Sequence, residues 1–134
     1  RTKTKIMLKI LIIEDDEITN FITKTNLEKF GYKNIAVALN GQEGLDYLKN
    51  NTCPDLILLD INMPILDGWD FLEATTRLNL GLEIPVVVIT SSIRFEDRSN
   101  AELYSNVIDY MEKPINFEEL NNLLANLKTK KIES

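Results

Sequence analysis

Asp60 closes the run Leu56-Ile57-Leu58-Leu59, apolar enough to be a strand buried on both faces, and Ile61-Asn62-Met63-Pro64 leads away as a loop. In an open parallel sheet, ligands and chemistry collect beyond the carboxyl ends of the strands. Other reactive side chains also follow apolar runs. Glu14 and Asp15 come after Ile10-Leu11-Ile12-Ile13, Thr90 and Ser91 after Val86-Val87-Val88-Ile89, and Lys113 shortly after Val107 to Met111. Neighbouring strands lie about 4.8 Å apart, which would let Glu14, Asp15 and Asp60 converge. Carboxylates that close raise one another's pKa unless a cation intervenes.

The chain has no histidine, which removes the commonest general base and the commonest transition-metal ligand. A site built from carboxylates suits a hard, oxygen-seeking ion. Mg²⁺ keeps several waters and needs one or two carboxylates, so it fits an open acidic mouth better than Ca²⁺, and no EF-hand pattern is present. Such an ion with Lys113 and Thr90 around a carboxylate makes a phosphoryl-transfer constellation. The ion and Lys113 would neutralise phosphoryl oxygens, Thr90 would donate to a third, and a carboxylate would attack phosphorus. Each feature alone has a plainer reading. Acids after a strand can cap the next helix, the plain role open to Asp16 or Glu17; a strand-end threonine is satisfied locally; a lysine before Pro114 precedes a helix start. Their order at successive strand ends is the specific signal.

The elements that must hold these groups alternate. Strands are expected at Leu8–Ile13, Ile35–Leu39, the run ending at Asp60, Val86–Ile89 and Val107–Met111. Helices are expected up to about Phe30, over Gln42–Asn50 with Leu45 and Leu48 inward, over Trp69–Leu78, over Phe95–Tyr104 and over Asn116–Lys128. The last carries a clean stripe of Phe117, Leu120, Leu123, Leu124 and Leu127. In the first helix, hydrophobicity favours an inward stripe of Ile18, Phe21, Ile22 and Thr25 over the less apolar Thr19, Ile22, Thr23, Asn26 and Phe30. Five strands alternating with five helices, joined by right-handed crossovers, predict a doubly wound α/β domain with a parallel sheet and helices on both faces.

Composition narrows the partners. The 134 residues suit one domain, and a net charge of −6 argues against direct nucleic-acid binding. Basic residues gather at the ends, from Arg1 to Lys9 and from Lys128 to Lys131, where chains are usually solvated. Neither a membrane span nor a signal peptide is legible, and the single cysteine, Cys53, suits a reducing compartment, so a cytoplasmic protein is expected.

The acidic pair Glu14-Asp15, Asp60 within Leu-Leu-Asp-Ile-Asn-Met-Pro, Asp67-Gly68, Thr90-Ser91, Tyr110 and Lys113-Pro114 together resemble the receiver domains of bacterial two-component response regulators, of the chemotaxis-receiver type. The resemblance runs from Met7 to Lys128. It implies a flavodoxin-like five-stranded sheet of order 2-1-3-4-5, with residues 1–6 as a disordered leader and 129–134 as a tail. It further implies that Asp60 accepts a phosphoryl group from a histidine kinase or histidine phosphotransfer protein. Mg²⁺ would be held by Glu14, Asp15, Asp60 and the backbone carbonyl of Asn62; Lys113, Thr90 and Ser91 would contact the phosphoryl group. Thr90 and Tyr110 would relay occupancy to the surface of the fourth helix, fifth strand and fifth helix, where a downstream protein reads it. Asn62 and Ser92 stand at positions that tune phosphoryl lifetime in the family. The family pattern also turns the first helix so that Ile22, Asn26 and Phe30 face inward, leaving Ile18 and Phe21 for partner docking. The Lys113-Pro114 peptide is usually cis in the family.

Rival readings are an aspartyl-nucleophile phosphohydrolase, a flavodoxin-like cofactor module and a receiver-like scaffold that is never phosphorylated. The hydrolase would need an acid two residues beyond its nucleophile, where Asn62 stands, and the acidic first loop would repel a cofactor phosphate. The expectation is therefore a self-modifying phosphoacceptor rather than a turnover enzyme. A stand-alone receiver is the expected form, a segment of a longer protein the alternative.

Overall fold

A computed structural model describes residues 7–91 and 94–133; the expected leader 1–6 and Ser92, expected to tune phosphoryl lifetime, lie outside the described residues. Ten elements alternate in chain order: β1 (Lys9–Ile13), α1 (Glu17–Lys29), β2 (Asn34–Ala38), α2 (Gly41–Asn50), β3 (Leu56–Asp60), α3 (Gly68–Leu78), β4 (Val86–Thr90), α4 (Phe95–Ala101), β5 (Val107–Glu112) and α5 (Phe117–Glu133). All strand pairings are parallel and the order is β2-β1-β3-β4-β5, the order expected from the resemblance.

The interior strands read as continuous apolar runs because both of their faces are covered. Every residue of β3 and β4 is buried. Alternate residues feed two cores. Leu59, Ile57 and Val88 pack with Phe71 and Leu72 of α3 and Leu45 and Leu48 of α2 on one face, and Leu56, Leu58 and Val87 pack with Leu27 of α1 and Leu120 and Leu124 of α5 on the other.

Caps set where the helices begin. Asp16 Oδ2 accepts from the Thr19 N–H at 3.0 Å, Asn40 Oδ1 from Glu43 N–H at 2.9 Å and Asp67 Oδ1 from Asp70 N–H at 2.8 Å. Gly68 has no room for a side chain: a Cβ there would lie 2.6 Å from the carbonyl oxygen of Asp60. Its N–H donates to Ile61 O at 2.9 Å, so α3 starts directly against the end of β3.

Two expectations need correction. The inward face of α1 is not the apolar stripe and only in part the second one: Asn20, Thr23 and Leu27 are buried and Ile18 and Phe21 stand outside as the resemblance implied, but Ile22 is 48% and Phe30 41% exposed. A polar contact fits this rotation: the end of β1 leaves the Glu14 carbonyl needing a donor, Asn20 Nδ2 supplies it at 2.9 Å, and on the same face Leu27 carries the apolar packing. The last helix also continues through the expected tail to Glu133, its final turn anchored where Lys131 Nζ meets both carboxylate oxygens of Asp55 at 3.1 Å.

Candidate phosphoryl-transfer site

Asp60 ends β3 between β1 and β4 and is 4% exposed. Glu14 follows β1 directly; its N–H donates to Ala38 O at 3.0 Å, and the residue is likewise 4% exposed. Glu14 Oε2 accepts from the Asp16 N–H at 3.1 Å, and Oε1 accepts from Lys113 Nζ at 2.7 Å. Lys113 arrives from the far side of the site. Its N–H donates to Thr90 O at 2.7 Å, so β4–β5 pairing aims the lysine, whose Nζ lies 3.4 Å from Asp60 Oδ1. The Lys113-Pro114 peptide is cis. Asp15 stays exposed, yet one oxygen each of Glu14, Asp15 and Asp60 falls within 4.8 Å of the others.

Three carboxylates and one ammonium do not balance. Burial raises the pKa of Glu14 to about 7, with the nearby Asp60 charge adding to it, against the lowering pull of the Lys113 and Asp16 hydrogen bonds. Burial also raises Asp60, opposed by Lys113. On Lys113, burial works downward, but the hydrogen bond to Glu14 and the charges of Asp60 and Glu14 outweigh it and hold the ammonium above its ordinary range. This is a positive-charge deficit lined with oxygen donors. A divalent cation fits it, and the donor set is that of a hard ion such as Mg²⁺.

The model of the response regulator receiver domain matches residues 10–125. The chain belongs to the response regulator receiver family. Receiver domains of this family work in two-component signalling. Among relatives, the transcriptional regulatory protein HprR of Escherichia coli is 37% identical over 113 residues, which is 84% of this chain and 48% of HprR. The sensor histidine kinase CheAY of Helicobacter pylori is 33% identical over 116 residues, 86% of this chain. The chain thus spans about half the length of one relative and 14% of the other. A two-component response regulator from Legionella pneumophila superposes with a TM-score of 0.82 at 30% identity, covering 91% of this chain and 98% of that one.

Of the remaining site residues expected from the sequence, Thr90, Ser91 and Asn62 lie at or just past the ends of β4 and β3, while Tyr110, Ile18 and Phe21 lie elsewhere on β5 and α1. Thr90 is 1% exposed at the end of β4, beside Ile89, which is in register with Asp60. Ser91 follows it and is exposed. Asn62 is exposed in the loop two residues past Asp60. That loop passes through Ile65 at φ 69°, an uncomfortable setting for a β-branched residue, before closing on the Asp67 cap. Tyr110, half-buried on β5, accepts a hydrogen bond at Oη from Arg98 Nη1 at 2.6 Å. Ile18 and Phe21 stand 70% and 71% exposed on α1, away from the core.

Sequence reasoning missed two contributors. Asn20 holds the Glu14 backbone, and its Oδ1 is buried with no hydrogen-bond partner among the described residues. A polar residue on a helix reads as outward-facing, so nothing in the pattern marked it. Asp97 is 7% exposed and accepts from Trp69 Nε1–H at 3.2 Å across 28 positions, a pairing with no local signature.

Proposed function

We propose that this receiver is a phosphoryl-accepting switch in which Asp60 is the acceptor. The observation that carries the reading is the placing of a buried Asp60 within 3.4 Å of Lys113 Nζ and among the acids Glu14 and Asp15. An Asp60 oxygen attacks phosphorus, forming the acyl phosphate as the bond from phosphorus to the donor's leaving nitrogen breaks. The donor is a histidine kinase or a histidine phosphotransfer protein. Glu14, Asp15, Asp60 and the carbonyl of Asn62 would hold Mg²⁺, which when bound offsets charge on the phosphoryl oxygens. Lys113 pairs with a phosphoryl oxygen, and Thr90 and Ser91 donate to the others. Thr90 then turns toward the phosphoryl group and Tyr110 follows it inward, altering the α4–β5–α5 surface for a downstream protein.

The donor docks on α1, which exposes Ile18 and Phe21 and whose Thr19, Ile22 and Thr23 line a groove of about 360 Å³ with Lys113, Pro114, Ile115 and Phe117. The acyl phosphate is made and lost on the protein itself, so the receiver is a self-modifying carrier rather than a turnover enzyme. Its setting is the cytoplasm; no described helix is long and apolar enough to cross a membrane. Incubation with acetyl phosphate is expected to give Mg²⁺-dependent incorporation of one phosphoryl group, lost on chelation of the metal and in Asp60→Asn. Absence of incorporation into the unaltered chain would sink the switch and favour a scaffold.

A further inference from the structure

Helix α4 brings little apolar surface to the sheet. It has seven residues, too few to be stable alone, and among its described side chains only Ala101 and Asp97 are buried. Two side-chain ties from adjacent residues supply the attachment instead. Asp97 Oδ1 accepts from Trp69 Nε1–H at 3.2 Å, joining α4 to the first turn of α3. Its Oδ2 accepts from Arg94 N–H at 3.3 Å and faces Arg94 Nε at 3.6 Å, so the carboxylate is held from both sides. Arg98 Nη1 donates to Tyr110 Oη at 2.6 Å, and the guanidinium carbon lies 4.9 Å from the ring centroid. One side chain therefore engages both the hydroxyl and the face of the ring.

Tyr110 is in register with Val88 and so shares a sheet face with Thr90, two residues along β4. The bond from Arg98 holds Tyr110 in the arrangement seen, and the bond from Trp69 to Asp97 does the same for α4. We infer that Asp97 and Arg98 are positioning residues whose ties to Trp69 and Tyr110 hold α4 in its resting arrangement and thereby oppose phosphorylation of Asp60. The inference rests on the switch reading above. A ligand that favours the released state binds more tightly once the resting state is weakened.

The test is calorimetric titration of the 134-residue chain with beryllofluoride in Mg²⁺, a phosphoryl mimic that cannot be transferred. Arg98→Ala and Trp69→Phe are each expected to bind it about fivefold more tightly, the size of one net hydrogen bond. Tyr110→Phe removes the same hydroxyl contact, so combining it with Arg98→Ala should give less than the product of the two effects. Emission from Trp69, the chain's one tryptophan, should already be shifted toward its beryllofluoride-bound position in free Asp97→Ala. A purely structural role predicts lower urea midpoints with unchanged or weaker binding, and that result in both Arg98→Ala and Trp69→Phe overturns the inference alone. No binding to the unaltered chain, as in Asp60→Asn, would instead remove the switch reading and the inference with it.

Discussion

Glu14 is the residue on which the site's electrostatics turn, because it is buried and shares Lys113 with Asp60. Its carboxyl titrates near pH 4.5 when solvated and near 7 in the folded chain. Between those values the folded state holds more protons than the unfolded state, so stability falls as pH rises. Asp60 is shifted in the same direction. Lys113 stays charged throughout this window, and Asp16, lowered by its Thr19 hydrogen bonds, acts only below the ordinary carboxylate range. Urea midpoints in chelator are therefore expected to drop from pH 5 to pH 8, and Glu14→Gln should flatten much of that drop. A slope left intact in Glu14→Gln would show that another group sets it.

At the level of elements, the site depends on how closely α3 starts against β3. Gly68→Ala would drive a methyl group to 2.6 Å from Asp60 O and 2.9 Å from Ile61 Cα, both backbone atoms that cannot turn aside. A loss of about 1–3 kcal/mol is expected by denaturant unfolding, with slower phosphorylation by acetyl phosphate because Asp60 itself is displaced. Helix α1 behaves differently. Phe21 is 71% exposed and supports no core, so Phe21→Ala should leave the unfolding midpoint nearly unchanged. Phosphotransfer from the cognate histidine protein should nonetheless slow by about tenfold, the loss of one aromatic anchor. Equal rates for both proteins in stopped-flow transfer would remove Phe21 from the docking surface.

For the whole molecule, the acids at the ends of β1 and β3 form a charge deficit in a structure otherwise stabilised by two apolar cores. A cation that binds only when Glu14, Asp15 and Asp60 are brought together must stabilise the entire fold, by about 2.7 kcal/mol at a hundred times its dissociation constant. Thermal unfolding at pH 8 should shift upward with added Mg²⁺, and Asp15→Asn should remove most of the shift. Asp15 is exposed, so this substitution tests the metal without cutting the core. An equal shift in Asp15→Asn would mean that Mg²⁺ acts elsewhere.

The alternation of elements, the parallel sheet and the placing of Asp60, Glu14, Asp15, Thr90 and Lys113 at strand ends were all legible from sequence, because fully buried strands leave continuous apolar runs and parallel strands share one carboxyl edge. Helix faces were legible where apolar residues did the packing, as with Leu45 and Leu48 in α2 or Leu120 and Leu124 in α5. In α1 hydrophobicity pointed the wrong way: the resemblance placed Ile18 and Phe21 outside, as they are, but a buried hydrogen bond from Asn20 to the Glu14 carbonyl accompanies a rotation that leaves Ile22 and Phe30 outside as well. Tertiary structure alone decided which cation partners Glu14, and that Trp69 meets Asp97 and Arg98 meets Tyr110. Such contacts join side chains distant along the chain and depend on register and helix rotation, which hydrophobic periodicity does not encode.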